Sequence, residues 1–132
     1  LAKRSRYPRQ GGWWIVGGRM VTGESPLAAV ARKVMEEAGL VAIDPDRYVY
    51  LGAYSTCFAR RDQAPSEHGS HSINLTYQLE LTSEEQAQIM LNDEYDDRQW
   101  LAFEAVKQLM DVSNELDRAL LEIIGTLLPA IG

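Results

Sequence analysis

Gly18-Arg-Met-Val-Thr-Gly-Glu24-Ser-Pro-Leu-Ala-Ala-Val-Ala-Arg32-Lys33-Val34-Met35-Glu36-Glu37-Ala38-Gly39-Leu40 is the stretch that decides how this chain folds. Ser25-Pro26 is a helix start, because the hydroxyl can cap a free amide and proline at the first helical position gives up no hydrogen bond. Gly39 is a helix stop. Between them Leu27, Val30, Val34 and Ala38 recur at spacings of three and four, an apolar stripe suited to packing on a sheet. Arg32 and Glu36 are four residues apart and can pair, and Glu37 lies about 100° further round the helix. Adjacent carboxylates disfavour each other's ionisation, and a hard divalent cation such as Mg²⁺ or Mn²⁺ relieves that conflict. Taken alone, the Glu-Glu pair also suits an ordinary solvated helix face with one salt bridge.

The whole stretch carries more than the pair. It resembles the Nudix box, Gly-x5-Glu-x7-Arg-Glu-U-x-Glu-Glu-x-Gly-U with U a bulky aliphatic residue. Gly18, Glu24, Arg32, Val34, Glu36, Glu37, Gly39 and Leu40 fall on its fixed positions in register. The resemblance implies an α/β Nudix fold, a mixed curved β-sheet sandwiched between helices, formed by residues 1–132 as a single domain. It also implies Mg²⁺ as cofactor, with Mn²⁺ as its substitute, and a small-molecule nucleotide as substrate. One fixed position departs: Lys33 stands where the box has its first glutamate, which in many Nudix enzymes helps to bind metal or activate water. A cation there weakens the metal site. It can reach for a phosphate or simply face solvent.

A narrower likeness extends from the start of the chain to about Trp100. Leu1-Ala-Lys-Arg4, followed by Trp13-Trp14 and Gly17-Gly18-Arg19, resembles the entry segment of the GDP-mannose mannosyl hydrolases, a Nudix branch that cuts the sugar C–O bond. That likeness implies that Arg4 contacts the nucleotide diphosphate and that Arg19 assists its departure. Gly17 would offer a backbone carbonyl to the cation, with Glu37 the principal side-chain ligand. Asp93-Glu94-Tyr95-Asp96-Asp97-Arg98-Gln99-Trp100 resembles the branch's acidic loop, but Glu94 and Tyr95 stand where that loop has a metal-binding glutamine and a general-base histidine. Tyrosine, with a free pKa near 10, is a poor base at neutral pH.

The expected site follows. Arg19, Arg32, Glu36, Glu37 and Glu94 are the catalytic candidates, and Gly17, Glu36, Glu37 and Glu94 the metal ligands. Arg4, Arg19, Trp13, His71 and Tyr95 are the substrate contacts, with Trp13 or Trp14 stacking on the base or packing in the core. Glu24 anchors the loop. Hydrolysis of the pyrophosphate in a nucleotide sugar or related nucleotide is the expected function, because Glu36 keeps a carboxylate typical of Nudix pyrophosphatases; the alternatives are glycosyl C–O hydrolysis of the GDP-mannose type and nucleotide binding with weak or no turnover.

Composition narrows the partners. The 132 residues are 45% apolar, enough for a core, and the net charge is −6. Lys3, Arg4, Arg6 and Arg9 crowd the first ten residues, whereas Asp93, Glu94, Asp96 and Asp97 crowd five later positions. In a fold that gathers both, the basic run faces phosphate and the acidic run faces metal. The overall charge argues against long nucleic acid. A lone cysteine, Cys57, reads as a small buried hydrophobe next to Phe58 in a reducing compartment, so a cytoplasmic location is expected. No apolar run reaches membrane length and no signal segment is recognisable.

The remaining elements read as strands at Tyr48–Tyr54 and Ser72–Leu81 around a loop from Phe58 to His71. His68 and His71 lack the further ligands of a closed zinc site. A short helix from Ser83, a last strand over Gln99–Ala102, a helix over Phe103–Met110 and a closing helix within Asp111–Leu128 complete the chain. Leu1–Arg4 reads as the end of a central strand that lacks most of its length. Either a segment precedes it or another chain supplies a strand; a homodimer is expected, with strand exchange as one form it can take.

Overall fold

The computed structural model describes residues 1–5, 12–58 and 63–127. Arg6 and Arg9 of the basic run, Arg60, Arg61 and Asp62 of the loop, and Leu128 lie outside the described residues.

Helix α1, Pro26–Ala38, has the termini that its sequence dictates. Ser25 Oγ accepts from the Ala28 amide at 3.1 Å, Pro26 opens the first turn, and Gly39 closes the helix at φ 71°, where a Cβ would be strained. Ala29 and Ala38 are buried, and Leu40 follows them into the interior.

Three short strands form one antiparallel sheet: β1, Ala2–Arg4, lies between β2, Trp13–Trp14, and β5, Tyr95–Arg98. The Leu1–Arg4 segment thus takes the central place expected of it. A second antiparallel pair joins β3, Val49–Phe58, to β4, Ser70–Gln78. Register shifts between Lys3 and Arg4 and between Tyr50 and Gly52 mark bulges, which bend and twist a sheet locally. Helices α2, Ser83–Gln88, α3, Phe103–Leu109, and α4, Glu115–Gly125, flank the sheets, giving the α/β architecture that the box implies. Val106, Met110 and Leu120 form a buried cluster against which Trp13, Trp14, Ile15 and Leu101 pack.

Several boundaries differ from expectation: β3 runs on to Phe58, beyond Tyr54, and β4 stops at Gln78, short of Leu81. The last strand is Tyr95–Arg98, not Gln99–Ala102: Asp96 and Asp97 are poor strand formers, yet pairing with β1 overrides their local preference. His71 lies within β4, across from Cys57, and not in a loop; Cys57 is exposed and not buried as expected, because it shares the outward face of the pair with His71.

Candidate active site

The end of α1 and the start of β5 are stitched together through the backbone. The Met90 amide donates to the Ala38 carbonyl at 3.0 Å and the Asn92 amide to the Glu37 carbonyl at 3.1 Å. Ser5 fastens β1 to the same turn, its amide donating to the Glu94 carbonyl at 2.8 Å and its hydroxyl to the Asp93 carbonyl at 2.6 Å. These bonds carry Glu94 and Tyr95 to the C-terminal half of α1, where Glu36 and Glu37 sit.

Glu37 is fully buried, and its carboxylate is held from several sides. Oε2 accepts from the Gly17 amide at 3.0 Å and from the Tyr95 hydroxyl at 2.9 Å. Among the described residues Oε1 has no hydrogen-bond partner of ordinary geometry, but the Lys33 ammonium lies 3.2 Å away as an ion pair. Burial and the neighbouring Glu94 carboxyl raise the Glu37 pKa, against the pull of Lys33 and Tyr95. Burial and the adjacent Glu37 charge also push the Tyr95 phenol well above its ordinary value. It keeps its proton, donates a hydrogen bond to Glu37 and is not a base.

Arg32 organises the loop before the helix. Its Nε and one terminal nitrogen each donate to Glu24 at 2.8 Å, and its other terminal nitrogen reaches Glu36 at 3.1 Å. It also donates to the Arg19 carbonyl at 2.8 Å, while Glu24 accepts from the Val21 amide at 2.9 Å. The guanidinium holds the Glu24 carboxyl down to about 2 and keeps Glu36 below its ordinary value as well.

The other expected residues divide. Arg4 stands 3.9 Å from the Glu94 carboxylate and over the Tyr95 ring, 5.8 Å from its centroid. The Arg19 side chain extends to Gln63 at 3.3 Å and is exposed. Gly17 meets Glu37 through its amide. Trp13 is half-buried against the core cluster, as is Trp14. His71 pairs with Ser55 Oγ at 2.6 Å on the exposed face of the β3–β4 pair. The site therefore gathers Gly17, Arg32, Glu36, Glu37, Glu94, Tyr95 and Arg4, whereas Trp13 and His71 belong to other surroundings.

Two roles were not legible from residue types. Lys33 is neither turned to solvent nor extended towards a ligand: its side chain is 14% exposed, with Nζ 3.3 Å from Glu36 and 3.2 Å from Glu37. Its spacing of three and four residues from those glutamates was the available signal. Burial opposes its charge, but the two carboxylates win and raise its pKa. Tyr95 supports Glu37 from a strand 58 residues away, a relationship that only the folded chain discloses. Among the described residues no group of three or more His, Cys, Asp or Glu side chains stands close enough to hold a metal ion.

Compared with known families, the chain matches the NUDIX domain over residues 1–122.

Proposed function

Because the chain belongs to the NUDIX domain family, whose hydrolases act on a nucleoside diphosphate linked to another moiety, we propose that it cleaves the pyrophosphate of a nucleotide sugar or related nucleotide. The observation that carries this reading is the bond from Tyr95 to Glu37. Position 95, where the mannosyl-hydrolase branch has its base, is occupied by a phenol committed as a donor, so sugar C–O cleavage lacks that base. Glu94, beside Glu37, is left as the group to accept a proton from water.

The donor type suits Mg²⁺, or Mn²⁺ in its place, although among the described residues the carboxylates do not close on one point and would have to draw together around the ion. Glu36, Glu37 and Glu94 offer hard carboxylate oxygens, one buried Glu37 oxygen accepts no hydrogen bond, and a cation, the Lys33 ammonium, already lies between Glu36 and Glu37. When bound, the ion supplies positive charge that offsets the phosphate oxygens and lowers the pKa of water. Arg4 contacts the diphosphate, and Arg19 joins it by turning its side chain away from Gln63. Arg32 fixes the Glu24 loop and orients Glu36; Gly17 and Tyr95 fix Glu37.

The test is Mg²⁺-dependent product formation from ADP-ribose, GDP-mannose and nucleoside triphosphates, with Glu37→Gln as control. A nucleoside monophosphate from a nucleotide sugar supports pyrophosphate cleavage. Free sugar with intact nucleoside diphosphate supports the mannosyl reaction. Nucleotide binding with no turnover above the control supports a binding protein, a reading favoured by the closure of Lys33 on the two glutamates.

A homodimer forms part of the same proposal. It is supported by the β3–β4 face that turns Ile73 and Leu75 to solvent, 65% and 41% exposed. Among the described residues no helix is long and apolar enough to cross a membrane. The free thiol of Cys57 supports a reducing, cytoplasmic setting.

A further inference from the structure

We propose that Lys33 is a resident counter-cation that competes with the divalent ion for the oxygens of Glu36 and Glu37, so that metal enters only as the ammonium leaves. The inference rests on the reading of these glutamates as metal ligands. Three observations carry it. Nζ bridges the two carboxylates at 3.3 and 3.2 Å, within reach of both at once. The oxygen it approaches on Glu37 is buried and accepts no hydrogen bond, so the ammonium is that atom's compensation among the described residues. The third is steric: the lysine stem lies against Gly18, where a Cβ would collide with Cδ, Cε and Nζ. The loop is therefore shaped around this side chain.

Charge decides what this does. Glu24, Glu36 and Glu37 against Arg32 and Lys33 leave the cluster one charge negative, whereas a glutamate at position 33 would leave it three charges negative. A divalent ion is drawn by an excess of negative oxygen ligands. Here much of that excess is spent internally, and the ion must separate an ion pair before it gains a ligand. The four-carbon stem gives the ammonium a route out, because it can rotate away without moving the helix.

The experiment is Mn²⁺ binding to the full chain, followed by the paramagnetic resonance of free Mn²⁺, for wild type, Glu37→Gln, Lys33→Met, Lys33→Arg and Lys33→Met/Glu37→Gln. Lys33→Met is expected to bind about tenfold or more tightly, from removing one charge about 3 Å from the ligand oxygens. Lys33→Arg keeps the cation and stays weak, and the double variant loses the gain. Equal affinity in wild type and Lys33→Met, with Glu37→Gln weakening both, would overturn the competition while leaving the metal-dependent hydrolase intact. No binding by any variant would overturn both. Should Lys33→Met fail to fold, the wild type still answers through the nitrogen resonance of the Lys33 ammonium. Its displacement by Mg²⁺ in step with the Glu37 carboxyl resonance supports competition, and a Lys33 signal indifferent to Mg²⁺ while Glu37 responds refutes it.

Discussion

The Tyr95 hydroxyl donates to Glu37 Oε2 at 2.9 Å, joining the first residue of β5 to the last turn of α1. The bond does two things. It satisfies a carboxylate with no access to water, and it fixes which oxygen is left for a cation. Removing it leaves Oε2, among the described residues, with the Gly17 amide alone.

Tyr95→Phe is therefore expected to lower stability by about 1–3 kcal/mol, the range for stranding a buried polar group. Urea unfolding measures it. A loss below about 0.5 kcal/mol, the range of an indifferent surface change, would mean that Glu37 finds another donor.

Acid should expose the Glu24–Arg32 pair. The Glu24 carboxyl is depressed from 4.5 to about 2 by the Arg32 hydrogen bonds, so its contribution is fully present above 4.5 and is lost as pH falls towards 2. Thermal midpoints of wild type and Glu24→Gln are expected to lie apart at pH 6 and to converge between pH 4.5 and 2. Curves that stay parallel across that window would remove Glu24 as the titrating group.

Much of this arrangement is legible in the sequence, and for local reasons. Ser25, Pro26 and Gly39 set the ends of α1 by capping chemistry, and the positions of Arg32, Glu36 and Glu37 on it follow from helical periodicity. The rest depends on contacts distant in sequence. Nothing local marks Tyr95–Arg98 as a strand, because two of its four residues are aspartates and its partner is the three-residue β1. Trp13 is equally suited by type to stacking on a base or packing in a core, and only the position of Val106, Met110 and Leu120 decides between them. Lys33 announces itself as a departure from a pattern, but its partners follow from a rotamer, which the sequence does not specify.

Gly18→Ala offers an independent view of Lys33. The added methyl would stand 2.8 Å from Cδ and 2.9 Å from Nζ, too close for either to remain. Those atoms are the far part of a flexible side chain, so the expected response is movement of the lysine at a cost of about 1 kcal/mol, with no loss of the fold. Mn²⁺ affinity should rise in the same direction as for Lys33→Met. An unchanged affinity in a folded Gly18→Ala protein would show that displacing the stem does not open the carboxylates.

The core makes a simpler demand. Leu120 is fully buried in one cluster with Val106 and Met110, and Leu120→Ala should cost about 2–5 kcal/mol by lost burial and the remaining cavity. Equilibrium unfolding with circular dichroism detects it, and a loss under about 1 kcal/mol would mean that α3 and α4 close the gap by moving together.

The β3–β4 pair has its polarity reversed for a monomer. Thr56 and Thr76 are buried on one face, with the Asn74 amide donating to Thr56 Oγ1 at 2.8 Å, while Ile73 and Leu75 alternate onto the other face and meet solvent. Alternation normally puts apolar residues inside. A second copy laid on that face would bury Ile73 and Leu75 and restore the ordinary arrangement, with no demand on Glu36 or Glu37. Light scattering after gel filtration should give a dimer mass for wild type and a monomer mass for Ile73→Lys, because a lysine at the centre of the contact would bring an unpaired charge into it. A monomeric wild type at high protein concentration would rule out this face as a stable interface between copies.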